Sequence, residues 1–462
     1  MIKRKWNWRR SLSAALAVVC LFSVPTEVKA DIYWPEGPAI ESQTAIVYEI
    51  NSGAVLYEKN SNQINYPASI TKIMTTMLAL EYCELDEVVS FSDDAIKYNQ
   101  GNTSHIARDY GEKMTMEQCL YAVMLESANE CAYAVAEHVA AKLGGDYQSF
   151  VDLMNERAKE LGCTNTHFTN ANGLPDKEHV TTAYDMALIS AEAYKNETFQ
   201  IIIGTRSYRI PPTNKHDEIT PLNNHHGMIS DYKTSQYLYK PCTGGKTGHT
   251  DASGNTLVTY AEKDDLTLVS VIMKSDATGQ YTDTISLFEY CFQNFQSVSI
   301  ADTDVEESEK DKGIMDNHEA FVKMDENARV IIPITADVSD LEVSLVTKDL
   351  PSGIVAKLKY TYGGHQAGSV NVVLSNEEVE EDYFSNPNEN EDVNIIEIKP
   401  SYILMAVVII AAIGAIIYLG KRLYDNFYVI LHDLEVKKQR KRRFRPISKK
   451  RKKWKKKDRM FK

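Results

Sequence analysis

The chain has 462 residues, of which 43% are apolar and 25% are charged; these proportions exclude a wholly disordered or fibrous chain, and the length allows two or three domains. The net charge of −13 is uneven, because residues 1–30 carry +5 and residues 421–462 carry +15, which leaves −33 on residues 31–420. An acidic body between basic ends excludes a simple cytoplasmic enzyme and argues against nucleic-acid binding by the main domain.

The first thirty residues have the pattern of a secretory signal peptide. A positively charged stretch that ends at Arg10 is followed by an apolar core, residues 11–24, which is short for a membrane span. Val28 and Ala30 are small residues at the positions that signal peptidase reads. We therefore expect cleavage before Asp31 and export of the remaining chain.

The exported body begins with a predicted β-hairpin, in which residues 44–50 and 54–58 flank a turn sequence. Apolar residues at helical spacing then predict helices at about residues 67–78, 116–125, 133–143 and 185–194. A second hairpin is predicted from residues 256–260 and 266–273, followed by a helix over residues 285–295. This order favours one α+β domain, in which an antiparallel sheet carries a helical insertion.

The character of the chain changes after the acidic and polar residues 301–316, which mark a domain boundary. Five short strands are predicted between residues 317 and 375, at residues 320–324, 329–334, 341–346, 355–362 and 370–374. They fit a small β-sandwich. The following residues, 376–400, are rich in Glu, Asp and Asn and predict a solvated stalk.

An almost wholly apolar stretch, residues 401–420, is followed at once by Lys421 and Arg422. About 20 such residues span a bilayer, and excess Lys and Arg beside a span faces the cytoplasm. We expect a single-pass membrane protein with its body outside the cell membrane and its tail, residues 421–462, in the cytoplasm. The alternative for the apolar stretch is a buried helix of the main domain.

The basic tail does not identify one partner. We expect it to fix the topology and to contact anionic lipid headgroups, while nucleic-acid binding by the tail is the alternative. Six cysteines follow the signal peptide, without the spacing of a zinc site or a C-x-x-C motif. Their even number permits disulfides, but a body of this size does not need them, and we expect buried free thiols.

A candidate nucleophile lies in Ser69-Ile70-Thr71-Lys72, an S-x-x-K motif. Serine needs a base within hydrogen-bond reach, and residues three apart on a helix share a face, so that Lys72 would lie beside Ser69. Burial or a neighbouring cation would have to lower the pKa of Lys72 before it could accept a proton. The motif alone is weak, since Ser230-Asp231-Tyr232-Lys233 matches it too.

Two further motifs strengthen the first. Ser127-Ala128-Asn129 lies in a polar break between two predicted helices, and Lys246-Thr247-Gly248 precedes the second hairpin, where an edge strand would run. The order S-x-x-K, S-x-N, K-T-G is shared by β-lactamases and penicillin-binding proteins. Ser253-Gly254-Asn255 also reads S-x-N, but it follows Lys246 instead of preceding it.

The body resembles the serine-type D-Ala-D-Ala carboxypeptidases, which are low-molecular-mass penicillin-binding proteins of bacterial cell walls. The segments that carry the resemblance, in family order, are residues 66–72, 124–130, 168–175, 179–186 and 244–250. The resemblance covers about residues 31–295 and extends more loosely to residue 374. It implies a penicillin-binding and β-lactamase-like transpeptidase domain, an antiparallel sheet with a helical subdomain. The predicted domains are therefore 1–30 signal peptide, 31–300 catalytic domain, 317–375 β-sandwich, 376–400 stalk, 401–420 transmembrane helix and 421–462 cytoplasmic tail.

The resemblance also implies roles for individual residues. Ser69 would attack the carbonyl between two D-alanines of a peptidoglycan stem peptide, and Lys72 would take its proton. Ser127 and Asn129 would relay protons and orient the substrate amide. An acyl-enzyme would form, release D-Ala and be hydrolysed, whereas a β-lactam would stay covalently bound. No metal or other cofactor is required.

The K-T-G segment would bind the substrate. Lys246 would bind the terminal carboxylate and help to keep Lys72 neutral, and Thr247 would hydrogen-bond the same carboxylate. Gly248 completes the motif, and the backbone N–H groups of Ser69 and His249 would form the oxyanion hole. His249 departs from the aromatic or apolar residue common at this place.

Other departures and alternatives stay open. Ala128 replaces the glycine of the family's usual S-G-N, and the membrane span replaces the usual amphipathic anchor helix. The adjacent His225 and His226 would point opposite ways on an extended segment, which favours a substrate-side loop over a metal site. Alternative functions are a D-Ala endopeptidase, a β-lactamase that deacylates fast, and a penicillin-binding wall receptor without catalysis.

Overall fold

The computed structural model describes residues 33–99, 103–300, 322–324, 328–348 and 354–374. The predicted signal peptide, stalk, transmembrane helix and tail lie outside these residues. Within the described ranges, no helix has the length and apolar character needed to cross a membrane. All described residues belong to the first of two units into which the chain divides, Met1–Glu377.

The strands of the catalytic domain are β1 (Thr44–Glu49), β2 (Val55–Lys59), β3 (Val88–Ser90), β4 (Lys113–Thr115), β5 (Ser207–Ile210), β6 (Thr220–Asn223), β7 (Cys242–Thr250), β8 (Gly254–Lys263) and β9 (Leu266–Ser275). The α-helices of the described residues are α1 (Lys72–Tyr82), α2 (Asp93–Ile96), α3 (Met116–Leu125), α4 (Asn129–Lys142), α5 (Tyr147–Glu160), α6 (Ala183–Tyr194), α7 (Glu197–Gly204) and α8 (Gly279–Asn294). The later strands are β10 (Phe295–Ser299), β11 (Val322–Met324), β12 (Arg329–Pro333), β13 (Glu342–Val346), β14 (Ile354–Tyr362) and β15 (His365–Leu374).

The centre of the domain is a five-stranded antiparallel sheet in the order β2-β1-β9-β8-β7. Successive side chains of a strand point to opposite faces, and here each face meets its own hydrophobic core. Val258 and Val271 are paired and belong to the larger core, while the neighbouring pair Leu257 and Ile272 belongs to the smaller one. The predicted sheet and both hairpins are confirmed, and β7 is the edge strand that the K-T-G motif was expected to occupy.

The helical insertion packs on the larger core. Eight of the eleven residues of α1 are buried, so this helix is enclosed on nearly all sides and runs through the centre of the insertion. Helix α3 begins at a capping box formed by Thr115 and Gln118, which satisfies two otherwise unpaired backbone donors. The insertion is confirmed as a helical region, although the sequence did not predict α2, α5 or α7.

Two boundaries differ from the predicted ones for physical reasons. Helix α4 begins at Asn129 and not near residue 133, because the polar side chains of its first turn are buried at the candidate site instead of facing water. The closing helix begins at Gly279 and not at residue 285, because the residues of its first turns, which include Gln280, Asp283 and Thr284, are polar although they are buried. It ends at Asn294, and Phe295 begins β10 and packs into the smaller core.

The five strands predicted after the boundary are present within one or two residues, except that β15 begins at His365. Four of them form a sheet in the order β11-β15-β14-β13, and the fifth, β12, pairs with β10. Val330 and Ile332 of β12 pack with Tyr360 and Val370 in a third core, while Ile331 faces the second core. Strand β12 therefore joins the small sheet to the catalytic domain.

All six cysteines after residue 30 lie in the described part of the chain, and all are free. Five are buried, and Cys83 is partly exposed. Burial raises the pKa of Cys119, Cys131 and Cys291, so these thiols stay protonated and serve as small apolar side chains. Five of the six cysteines therefore match the expectation of buried free thiols.

Candidate active site

The candidate nucleophile lies on a single tight turn in front of α1. Ser69 belongs to the 3-10 helix Ala68–Thr71 and not to the α-helix that was expected to carry it. The turn is fixed from the sheet side, because the Thr256 hydroxyl donates to the Pro67 carbonyl oxygen at 2.9 Å. Ser69 is partly exposed, so a substrate can reach its hydroxyl.

Lys72 is the first residue of α1 and is fully buried. Its Nζ lies 3.0 Å from Ser69 Oγ and 2.7 Å from Asn129 Oδ1, and it also contacts the carbonyl oxygen of Asn172. Burial, with a further contribution from Lys246, holds the pKa of Lys72 well below its usual range. A neutral amine could donate to Asn129 and Asn172 and accept the Ser69 hydroxyl proton, which is the geometry required of a general base.

Ser127 and Asn129 occupy the junction between α3 and α4, as the sequence predicted. Ser127 has φ of 60°, a strained conformation for a residue other than glycine and one that is often found at functional sites. Within the described residues its Oγ is buried without a hydrogen-bond partner. The Asn129 N–H donates to the Ser104 carbonyl oxygen at 2.9 Å, so the loop before β4 supports the segment that contacts Lys72.

The K-T-G motif lies on β7 with its residues alternating between the interior and the cleft. Lys246 is buried, and burial lowers its pKa to about 7. Its Nζ donates to the carbonyl oxygen of Thr247, a partly exposed residue, at 2.8 Å. His249 is exposed. A Cβ on Gly248 would lie 2.9 Å from the Ser69 nitrogen and 2.3 Å from Thr256 Oγ1, so β7 packs against the serine turn at a distance that only glycine allows.

A loop whose role the sequence analysis did not assign forms the third wall of the site. The Asn170 side chain accepts hydrogen bonds from the N–H groups of Gly173 at 2.7 Å and Leu174 at 3.0 Å. This arrangement presents the Asn172 carbonyl oxygen to Lys72, and Thr75 of α1 donates to the Ala171 carbonyl oxygen at 2.6 Å. The pair Asn172-Gly173 is a turn signal that could have identified this wall.

The loop depends on a glycine, and this dependence gives a first prediction. Gly173 has φ of 81°, and a Cβ there would lie 1.9 Å from the Ala68 carbonyl oxygen. We expect Gly173→Ala to destabilise the fold by about 2 kcal/mol or more and to slow acylation of Ser69, because the loop must move away from the serine turn. Thermal unfolding and penicillin labelling measure the two effects.

Gly144 supplies the matched control. It has the same φ of 81°, but a Cβ at this position would meet no atom of the described residues within 4 Å. Gly144→Ala should lower the free energy of unfolding by about 1 kcal/mol, the cost of a left-handed backbone at alanine, and should leave acylation unchanged. Equal effects of the two substitutions would contradict the proposed close contact.

The competing sequence motifs are not assembled in the structure. Ser230 is buried, its Oγ accepts from the Tyr232 N–H at 3.3 Å, and Lys233 is exposed. Ser253 caps the β7–β8 turn through Thr250.

The adjacent histidines take opposite directions, as predicted. His226 is buried against Val258 and Thr259, whereas His225 pairs with Glu126 at 2.9 Å. In the described ranges, the one group of possible metal ligands is Cys83, Glu87 and His138. Lys142 and His138 both bind the Glu87 carboxylate there, as expected of an ion-pair network.

A cleft of about 190 Å³ runs beside the serine turn. Its walls come from three segments, the turn itself, the loop after Gly173 and the end of β7, and include Tyr66, Ala68, Leu174 and Thr250. Most of the lining is apolar, and it includes neither Ser69 nor the K-T-G residues. The cleft therefore adjoins the serine turn and is not the place of the reacting groups themselves.

Comparisons with known proteins agree with this geometry. The family described as "D-alanyl-D-alanine carboxypeptidase" matches residues 32–277. A D-alanyl-D-alanine carboxypeptidase of Bacillus subtilis, DacF, is 30% identical over 63% of this chain and 72% of its own length.

Two solved structures resemble the fold. The Streptomyces K15 DD-transpeptidase is 27% identical with a TM-score of 0.50, and the match covers 55% of this chain and 100% of that one. Penicillin binding protein 5 from Haemophilus influenzae is 24% identical with a TM-score of 0.57, over 74% of this chain and 98% of that one. The second similarity bears on the fold alone, and it extends past the catalytic domain.

Proposed function

The chain belongs to the family of serine-type D-alanyl-D-alanine carboxypeptidases, and from this membership we propose how its own residues remove the terminal D-alanine of a peptidoglycan pentapeptide. The observation that carries the assignment is the buried Lys72 amine, 3.0 Å from the hydroxyl of the partly exposed Ser69. Penicillin-type β-lactams would acylate the same serine.

In the acylation step, Lys72 accepts the proton of Ser69 while Ser69 Oγ bonds to the carbonyl carbon between the two D-alanines. The N–H groups of Ser69 and His249 stabilise the oxyanion, a contribution often worth several kcal/mol. The bond from carbon to the leaving nitrogen then breaks, and the proton held by Lys72 passes through the Ser127 hydroxyl to the departing D-alanine amine, which returns Lys72 to its neutral form. The unpartnered Ser127 hydroxyl, beside Asn129, supports this relay.

In the second step, Lys72 takes a proton from a water molecule whose oxygen bonds to the acyl carbon; the bond from that carbon to Ser69 Oγ then breaks, and Lys72 returns the proton to Ser69 Oγ. Asn129 holds the Lys72 amine at 2.7 Å and orients the substrate amide. The products are D-alanine and a tetrapeptide, and the step needs no co-reactant besides water.

The substrate's terminal carboxylate is proposed to bind at Lys246 and Thr247. Lys246 is the buried amine with a pKa of about 7, so a carboxylate nearby would raise its pKa and hold it charged. Gly248 keeps the strand against the serine turn. Activity should therefore fall on the alkaline side as free Lys246 loses its proton.

The test is release of D-alanine from a pentapeptide that ends in D-Ala-D-Ala, with the full chain as enzyme. We expect one D-alanine per pentapeptide and none from the tetrapeptide product. Covalent labelling by penicillin without D-alanine release would contradict the carboxypeptidase and favour an endopeptidase. Prompt turnover of nitrocefin would favour a β-lactamase.

We also propose an extracytoplasmic, membrane-anchored arrangement. Its support is the signal-like pattern of residues 1–30, the apolar stretch 401–420 and the +15 charge of residues 421–462. The two sheets around the third core are proposed to form a small β-sandwich between the catalytic domain and the stalk. A mature N-terminus other than Asp31, or a tail that external protease digests in intact cells, would contradict this arrangement.

A further inference from the structure

Glu130 is a buried carboxyl group that the proposed reaction does not use. It follows Asn129 in the first turn of α4, and its side chain is 0% exposed. Glu130 Oε1 accepts a hydrogen bond from the Ile106 N–H at 2.7 Å. Within the described residues, Oε2 is buried without a partner. A buried carboxylate oxygen left unpaired is costly, so its retention calls for a function.

The surroundings of Glu130 combine several groups that can carry charge. The groups that act on its charge, or on which its charge acts, are Lys72 of α1, Arg108 of the loop before β4, Cys119 of α3 and Cys131 of α4. Arg108 is already paired with Glu112 at 2.9 Å. The two thiols have raised pKa values and stay neutral.

Glu130 directly follows Asn129, whose Oδ1 lies 2.7 Å from Lys72 Nζ, so a buried carboxyl group is held next to the segment that contacts the base. The charged groups that act on Lys72 are Lys246, which repels its protonated form, and Glu130, which attracts it. His179 also faces Lys72, but burial lowers the pKa of this imidazole to about 4, so it is neutral near pH 7. Among the groups named, Glu130 is the carboxylate available to a proton arriving on Lys72.

We propose that Glu130 is a positioning residue for the reaction: as a carboxylate, it stabilises the positive charge that forms on Lys72 when Ser69 gives up its proton. The inference rests on the proposed role of Lys72 as the base. The proton moves from Ser69 Oγ to Lys72 Nζ, and Glu130 keeps its own protonation state throughout. The hydrogen bond to Ile106 and that of Asn129 to Ser104 hold both residues against the same loop.

The protonation of Glu130 should be visible in the pH profile. Burial raises the pKa of Glu130 to about 7, so the carboxylate is lost as the pH falls below that range. Lys72 would then gain its proton beside a neutral acid and the Lys246 cation. Acylation by penicillin should rise about tenfold between about pH 5 and about pH 7 as Glu130 ionises.

The test measures the second-order rate constant for penicillin acylation of the full chain against pH, for wild type and Glu130→Gln. Glutamine keeps an acceptor for the Ile106 N–H but carries no charge. We expect the variant to lack the rise and to stay near the low-pH rate of the wild type, while keeping the alkaline limb that Lys246 causes. Glu130→Asp, which keeps the charge, should restore the rise.

Glu126→Gln is the matched control, because Glu126 flanks the same S-A-N segment but pairs with His225 instead. It should retain the rise below pH 7. A Glu130→Gln profile parallel to that of the wild type, whether lowered or not, would overturn the inference and assign Glu130 a structural role. A wild type that penicillin does not label would instead overturn the proposed function, so the two failures are distinguishable.

Discussion

Ser69→Ala is expected to abolish covalent penicillin labelling and to lower D-alanine release by more than about a thousandfold. The Ser69 hydroxyl is the partly exposed nucleophile within reach of the Lys72 amine, and alanine removes the atom to which the acyl group would bond. The measurement is gel detection of a fluorescent penicillin together with a D-alanine assay on the same preparation.

Ser230→Ala provides the control for this experiment, since Ser230 begins the second S-x-x-K sequence of the chain. Its hydroxyl is buried and accepts from Tyr232 N–H, and the matching Lys233 faces solvent. Labelling should be unchanged in this variant. Labelling that survives Ser69→Ala and disappears in Ser230→Ala would reverse the assignment of the nucleophile.

The fold was predictable where local patterns and burial agree. Strands β8 and β9 are apolar runs around a short polar turn, and their side chains fill two cores in alternation. The apolar composition and the short polar turn therefore predict both the hairpin and its burial. Helix α5 was missed, although Asp146 and Ser149 form a capping box at its start. Its buried residues, Phe150, Val151, Met154 and Ala158, form a narrow stripe on an otherwise polar helix.

The three motifs of the site could be predicted from the sequence, but the contacts that surround them could not. Ser69, Lys72 and Asn129 are joined by hydrogen-bond distances, which sequence order alone cannot give. The Asn172 contact is made by a backbone carbonyl, and side-chain chemistry carries no signal for such a group. Glu130 was read as part of a polar break, because only the tertiary structure reveals that its carboxyl group is buried.

Lys72→Ala is expected to lower the rate of acylation by about a hundredfold to ten-thousandfold, the range that a general base commonly contributes. Among the described residues, the Lys72 amine is the side-chain partner of the Ser69 hydroxyl, so its removal takes away the group that accepts the proton. The residual rate should increase with pH, because hydroxide then replaces the missing base. Stopped-flow acylation by penicillin measures the effect separately from deacylation.

The variant also leaves Asn129 Oδ1 and the Asn172 carbonyl oxygen without their shared donor, a loss that could disturb the site itself. Lys72→Met, which keeps most of the side-chain volume, separates the two effects: if it is as slow as Lys72→Ala, then the amine and not the packing is responsible. Lys233→Ala is the control for loss of a lysine from an S-x-x-K sequence, and its acylation rate should be that of the wild type. Normal acylation in both Lys72 variants would remove Lys72 from the role of base, and with it the reason for a carboxylate at Glu130.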